Sequence, residues 1–277
     1  MTLEESDQFL RAALTEDLGD AGDVTSRATV DAGAEATGTV VAHEPGCVAG
    51  LELALRVFTL VDETVATEAC VDDGAVVRAG TKLALVAGPA RSLLAAERVA
   101  LNVLAHLSGV ATATRELVDR VDGTGATIVD TRKTTPGLRA LEKMAVRAGG
   151  GTNHRLGLYD AVLIKDNHIA AVGTVGEAVR HARADVGDAV RVEVEIDRLD
   201  QVEDAIAAGA DIVMLDNMPT DVMREAVDLI AGRCLVEASG GITVDTVREV
   251  AETGVDMISV GWITHSAPAL DVALDFD

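Results

Sequence analysis

Three short segments hold most of the side chains able to do chemistry: DTRKTTPG at residues 130–137, GGGTNHR at 149–155 and IKDNH at 164–168. From Asp130 to His168, seven cations (Arg132, Lys133, Arg139, Lys143, Arg147, Arg155 and Lys165) face four anions (Asp130, Glu142, Asp160 and Asp166), in a chain of formal net charge -23. Three of the four lysines fall there. A cationic pocket inside an anionic protein fits a small polyanion. Arg132 can fork onto a carboxylate or phosphate and Lys133 adds a point charge. Thr134 and Thr135 supply hydroxyl donors before the Pro136–Gly137 turn. An Arg–Lys pair alone would read as a solvated basic loop; its place after a strand in an acidic chain favours a binding loop. Gly149 to Gly151 permit close backbone approach or a left-handed turn. A lone histidine such as His154 is more often structural, but beside Arg155 anion binding is an equal reading. Lys165 could be a Schiff-base nucleophile or a cation for phosphate or carboxylate, with Asp166, Asn167 and His168 bracing its loop.

The acids form a second set. In VEVEI, Glu193 and Glu195 share one strand face. A glutamate facing inward is costly unless it meets a metal, a cation or ligand hydroxyls. Asp216 and Asn217 end the next strand, so Glu195 and Asp216 could hold Mg²⁺ or ribose hydroxyls. Salt bridges to the nearby lysines are the other reading, and the two can coexist. SGGI at 239–242 precedes a helix expected from Thr243, whose free N–H groups suit phosphate. VGWITHS at 260–266 repeats the pattern. Paired Gly-rich loops after the last strands form the phosphate site of β/α barrels, which points to Ser239, Gly240 and Gly261. In ERVALN, Arg98 and Asn102 share a helix face, and on the sequence alone Arg98 reads as a surface arginine.

These residues need elements to carry them. Residues 5–18 read as a helix, and 35–87 as short strands and tight turns ended by Pro89. A long helix runs from Leu93 to about Asp122. Strands are then expected at 126–130, 161–165, 191–196, 211–215, 233–238 and 256–260, with helices such as 199–208 and 219–231 between them. That alternation predicts a parallel sheet. Polar residues end nearly every strand (Asp130, Lys165, Glu195, Asp216, Ser239, Gly261), which favours a β/α barrel over a doubly wound sheet. Six strands make it an irregular, incomplete barrel. Hydrophobic content of 48% suffices for a core, but with 2% aromatics it must be built from Ala, Val and Leu. The acid excess excludes nucleic acid and anionic membranes as partners. No uninterrupted apolar run spans a bilayer, and the acidic N-terminus is no signal peptide. Cys47, Cys70 and Cys234 form no metal spacing and suit a reducing compartment, so a cytoplasmic protein is expected. An acidic, lysine-poor surface further suggests a high-salt, halophilic setting.

Taken in order, ERVALN, DTRKTTPG, KMAVRAGGGTNHRLGLYDAVLIKDNH, VEVEID, MLDN, SGGI and VGWITHS resemble the quinolinate phosphoribosyltransferase family along essentially the whole chain. The resemblance implies an α/β protein: an N-terminal α/β sandwich over 1–105, joined by 266–277, and an irregular parallel β/α barrel over 106–265. It implies transfer of phosphoribosyl from phosphoribosyl pyrophosphate to quinolinate, giving nicotinate mononucleotide, pyrophosphate and CO₂, with Mg²⁺ required. It implies a homodimer with shared sites, assembled into hexamers in some members. By resemblance Arg132, His154, Arg155 and Lys165 line the quinolinate pocket and Arg98 enters from the partner subunit. Lys133 and Lys165 face the pyrophosphate, and Glu195 and Asp216 lie near the ribose and Mg²⁺; these four form the catalytic group. Ser239, Gly240 and Gly261 match the 5′-phosphate loops. Trp262 departs from the pattern, which has a small residue there. Rival readings are a phosphoribosyltransferase for another pyridine acid, a molybdenum-transport paralogue, a Lys165 aldolase and a non-catalytic nucleotide sensor.

Overall fold

Local sequence rules set the boundaries of the first helices. Thr2 and Glu5 form a capping box: the Glu5 N–H donates to Thr2 Oγ1 (3.2 Å) and the Thr2 N–H to Glu5 Oε2 (2.7 Å), starting α1 (Leu3–Leu18). Asp23 accepts from the N–H groups of Thr25 and Ser26 and starts α2 (Val24–Thr29). The computed structural model describes residues 2–276. The chain continues through β1 (Glu35–Ala42), β2 (Gly46–Cys47), α3 (Leu51–Val61), β3 (Ala66–Ala69), β4 (Val76–Val77), β5 (Lys82–Pro89) and α4 (Ala90–Val121). It then alternates: β6 (Thr127–Val129), α5 (Arg139–Ala148), β7 (Val162–Ile164), α6 (Asp166–Val172), α7 (Val175–Val186), β8 (Val192–Ile196), α8 (Val202–Ala207), β9 (Ile212–Asp216), α9 (Thr220–Ile230), β10 (Leu235–Ser239), α10 (Val247–Ala251), β11 (Met257–Ser259), α11 (Trp262–His265) and β12 (Val272–Phe276).

The residues group into two compact units. The first comprises Met1–Arg115, Ala140–Gly150 and Ser266–Asp277. Its antiparallel sheet has the order β12-β1-β5-β3, so the last strand pairs with the first: Val40 faces Leu274 on one side and Ala84 on the other. Small and aliphatic side chains fill its core, among them Leu10, Val40, Leu83, Leu93 and Leu104, with Phe58 the largest. Among the described residues α4 alone is long and apolar enough by composition to cross a membrane. Its Leu93, Leu104, Leu107 and Val110 are buried inside the protein. Gly149, just past α5, has no room for a side chain: a Cβ would run into the Ala111 carbonyl and Thr114 of α4.

The second unit, Glu116–Arg139 and Gly151–His265, carries a six-stranded, wholly parallel sheet of order β6-β11-β10-β9-β8-β7. It does not close: β6 and β7 remain its edges. Each of the six strands falls within the segment expected for it or within a residue of that segment.

Three features differ from the sequence reading. Helix α3 interrupts the stretch expected to be strands and turns, because LELALRVFTLV has neither glycine nor proline to break it. The helix expected from Thr243 starts only at Val247 and has five residues, since Thr243 to Thr246 form a turn closed by the Thr243 N–H to Thr246 Oγ1 bond. Residues 106–115 and 140–150, expected within 106–265, group with the first unit. With them go two of the seven cations: Lys143 is fully buried, and Arg147 donates to the Lys143 carbonyl at 3.4 Å. In the same unit the buried Glu142 pairs with His106 Nε2 at 3.0 Å.

Candidate active site

The C-terminal ends of the six parallel strands open on a cavity of about 450 Å³. Thr131, Arg132 and Lys133 reach it from the loop after β6, His154 and Arg155 from the loop before β7, and Lys165 from the end of β7. Glu195 lines it from β8, Met214 and Asp216 from β9, Glu237 and Ser239 from β10, followed by Gly240 and Gly241. Four of the seven cations therefore converge here. Arg139 stands behind them as a brace, donating to Thr134 Oγ1 (3.0 Å) and to the carbonyls of Leu156 (3.2 Å) and Arg132 (3.4 Å).

A buried carboxylate shapes the central loop. Asp130 is fully buried and accepts from Asn153 Nδ2 (2.6 Å) and from the His154 N–H (2.9 Å). It thus ties the residue after β6 to the loop that carries His154 and Arg155. Nearby, the Arg132 Nε–H is buried without a hydrogen-bond partner. Burial holds the Arg155 pKa below the usual arginine range, and repulsion from Arg132 adds to that. Two guanidinium groups that crowd each other out of water are stabilised by an anion between them.

Below them lies a cluster in which Glu237 escaped the sequence reading. His154 Nε2 is 2.9 Å from Glu193 Oε2 and 3.5 Å from Glu237 Oε2. Both carboxyls are almost wholly buried, and Glu193 Oε1 and both Glu237 oxygens lack hydrogen-bond partners. The Arg155 backbone N lies 2.8 Å from His154 Nδ1, and Nε2 faces Glu193. Burial is the strongest influence on the imidazole and lowers its pKa. The hydrogen bond to Glu193 and the negative charge of Glu193 and Glu237 together outweigh it and raise the pKa to about 10. Burial also raises the Glu193 pKa, and Glu237 adds to that against the pull of His154. The His154 shift means that the cluster keeps a proton above neutral pH.

Lys165 Nζ donates to Glu195 Oε2 at 2.5 Å. An ion-paired lysine is a poor Schiff-base nucleophile, which needs a neutral amine; this argues against the aldolase reading. Its backbone N–H donates to His168 Nδ1 at 3.0 Å, the bracing role expected for His168. On the neighbouring strand Asp216 Oδ2 accepts from Asn217 Nδ2 at 2.7 Å. Glu195 and Asp216 offer hard oxygen donors from adjacent strands. One or two carboxylates completed by substrate phosphates are what Mg²⁺ usually takes, so the residues fit that ion. In the loop expected to take phosphate, Gly240 has φ +98° and a Cβ there would collide with the Asn217 side chain. Asn217 itself sits at φ 53°. This loop can turn its N–H groups toward an anion without a helix behind it.

Two family models account for nearly the whole chain: the quinolinate phosphoribosyl transferase N-terminal domain over residues 23–108 and its C-terminal domain over 110–275. The probable nicotinate-nucleotide pyrophosphorylase [carboxylating] of Bacillus subtilis (strain 168) is 47% identical over 268 residues, 97% of this chain and 92% of that protein. The corresponding Mycobacterium leprae (strain TN) protein is 47% identical, over 96% and 95% of the two chains. The chain belongs to the quinolinate phosphoribosyltransferase family. The solved structure of the nicotinate-nucleotide pyrophosphorylase from Francisella tularensis superposes with a TM-score of 0.96 at 38% identity, covering 100% of this chain and 98% of that one.

As a quinolinate phosphoribosyltransferase, the protein brings nine of its eleven expected site residues to one cavity: Arg132, Lys133, His154, Arg155, Lys165, Glu195, Asp216, Ser239 and Gly240. Gly261 does not line it but packs beside it, where a Cβ would stand 3.0 Å from Lys133 Cδ. Arg98 lies in the other unit, exposed on α4, 3.9 Å from Glu97. In this transferase Gly240→Ala meets both a left-handed backbone and Asn217. It is expected to lower stability by about 1–3 kcal/mol and to raise KM for the phosphate-bearing substrate while leaving quinolinate binding near normal. Equal KM values for both substrates in mutant and wild type would remove this loop from phosphate binding.

Proposed function

We infer that this chain transfers a phosphoribosyl group from phosphoribosyl pyrophosphate to quinolinate with decarboxylation. The products are nicotinate mononucleotide, pyrophosphate and CO₂, the carboxylating nicotinate-nucleotide pyrophosphorylase reaction of NAD biosynthesis. The observation that carries the reading is the convergence of Arg132, Lys133, Arg155 and Lys165 with Glu195 and Asp216 in one cavity of a strongly acidic chain. Both substrates are polyanions, and here the strand ends offer them their counter-charges.

Each residue has work that its position supports. Arg132 and Arg155 seat the two quinolinate carboxylates, above an imidazole held still by Glu193 and Glu237. The seated ring presents its nitrogen to the anomeric carbon, and holding both reactants in register supplies much of the rate. As the C1′–oxygen bond breaks, Lys133 and Lys165 stabilise charge growing on pyrophosphate. Lys165 leaves Glu195 in part to do so, and Glu195 and Asp216 then face the cationic ribose and its hydroxyls. Mg²⁺ held by Glu195, Asp216 and the substrate would add charge neutralisation at the leaving group. After the N–C bond forms, the positively charged ring accepts the electron pair left when CO₂ departs from C2, and a proton from water takes its place. We further propose a homodimer in which Arg98 serves the pocket of a second copy; its exposure on α4, with Glu97 3.9 Å away, supports this.

The test is product analysis with Mg²⁺, phosphoribosyl pyrophosphate and either quinolinate or nicotinate, at high KCl. Quinolinate alone should yield nicotinate mononucleotide and one CO₂ per turnover, and EDTA should abolish it. Turnover of nicotinate instead would move the protein to the sister activity. A folded protein that converts neither would end the catalytic reading.

A further inference from the structure

One short element holds two of the active-site loops. The indole Nε1–H of Trp262 donates to the Ile242 carbonyl, the end of SGGI, at 3.1 Å. Two residues on, the buried Thr264 hydroxyl lies 2.8 Å from the Lys133 carbonyl. Helix α11 is thus hydrogen-bonded to the loop expected to take the 5′-phosphate and to the loop that carries Lys133.

We propose that Trp262 is a positioning residue for the 5′-phosphate of phosphoribosyl pyrophosphate, acting through the Ile242 carbonyl. The inference rests on the phosphoribosyltransferase reading above. Gly240 and Gly241 both have left-handed φ values, +98° and +61°, in a segment with wide conformational freedom. A carbonyl in such a segment repels phosphate if it turns inward, whereas its N–H groups attract it. The indole engages the acceptor at the end of the loop and removes that freedom before substrate arrives. Preorganisation of this kind appears as affinity, because the ordering cost is met during folding rather than on binding.

Trp262 is the only tryptophan in the chain, so its emission reports on this one place. Ribose 5-phosphate titrated into the wild-type protein should change that emission saturably, and quinolinate should not reproduce the change. Trp262→Phe keeps a ring but no donor. By calorimetry it should bind ribose 5-phosphate about fivefold more weakly, with quinolinate affinity unchanged and KM for phosphoribosyl pyrophosphate raised more than kcat is lowered. An active wild-type enzyme whose emission stays constant at saturating ribose 5-phosphate overturns the inference without any variant. So does a Trp262→Phe protein with wild-type affinity. Failure of the wild type to convert quinolinate is a different result: it sinks the functional reading and the inference with it.

Discussion

Arg132→Ala should lower kcat/KM for quinolinate by roughly 10²–10³, because truncating one side of a desolvated charge pair costs about 2–5 kcal/mol. The effect is expected mainly in KM for quinolinate. KM for phosphoribosyl pyrophosphate should move far less, since Lys133 and the SGGI loop lie elsewhere in the cavity. Arg132→Lys should recover only part of the loss, because an ammonium cannot fork onto a carboxylate as a guanidinium does. The buried, unpartnered Nε–H of Arg132 and its repulsion of Arg155 motivate the size of the effect. Steady-state kinetics with each substrate varied in turn decides it. A loss shared equally between the two KM values would mean that Arg132 supports the loop and does not hold the carboxylate.

The wild-type protein should lose stability between pH 6.5 and pH 10 in a way that His154→Asn does not. The folded-state pKa of His154, about 10, lies above the ordinary 6.5. Its stabilisation is therefore complete below about 6.5 and vanishes as pH rises toward 10. The raised Glu193 pKa acts in the same sense, since a folded state that binds more protons is weakened by alkali. Denaturant midpoints at the two pH values should show an extra loss of about 2 kcal/mol in the wild type, a figure reduced from the full linkage value because the groups titrate together. Parallel pH dependences in the two proteins would dissociate His154 from the glutamates.

Much of this site was legible because the strand ends advertise it. Asp130, Lys165, Glu195, Asp216 and Ser239 each follow an apolar run, and in a parallel sheet such residues gather at one end. What a linear window cannot show is where a helix takes its charges. Arg132 and Lys143 are near in sequence, yet α5 carries Lys143 into the core of the other unit. Counting cations from 130 to 168 therefore overstated the pocket. Glu237 was missed for the opposite reason. It sits mid-strand in LVEAS, where one acid in an apolar run looks incidental, and only its distance to His154 gives it a role. The start of α10 was misjudged because the Thr243–Thr246 turn imitates a helix start.

The pairing of β12 with β1 also sets a timetable for synthesis. Residues 38–42 take their neighbours from 272–276, far downstream in the sequence. On the ribosome, β1 must wait until residues 272–276 are made, with its outer edge exposed all that while. The parallel sheet of the second unit has all its strands by Ser259 and can form first. The first unit is begun first and finished last, so termination before residue 272 should trap nascent chains with an open, aggregation-prone edge.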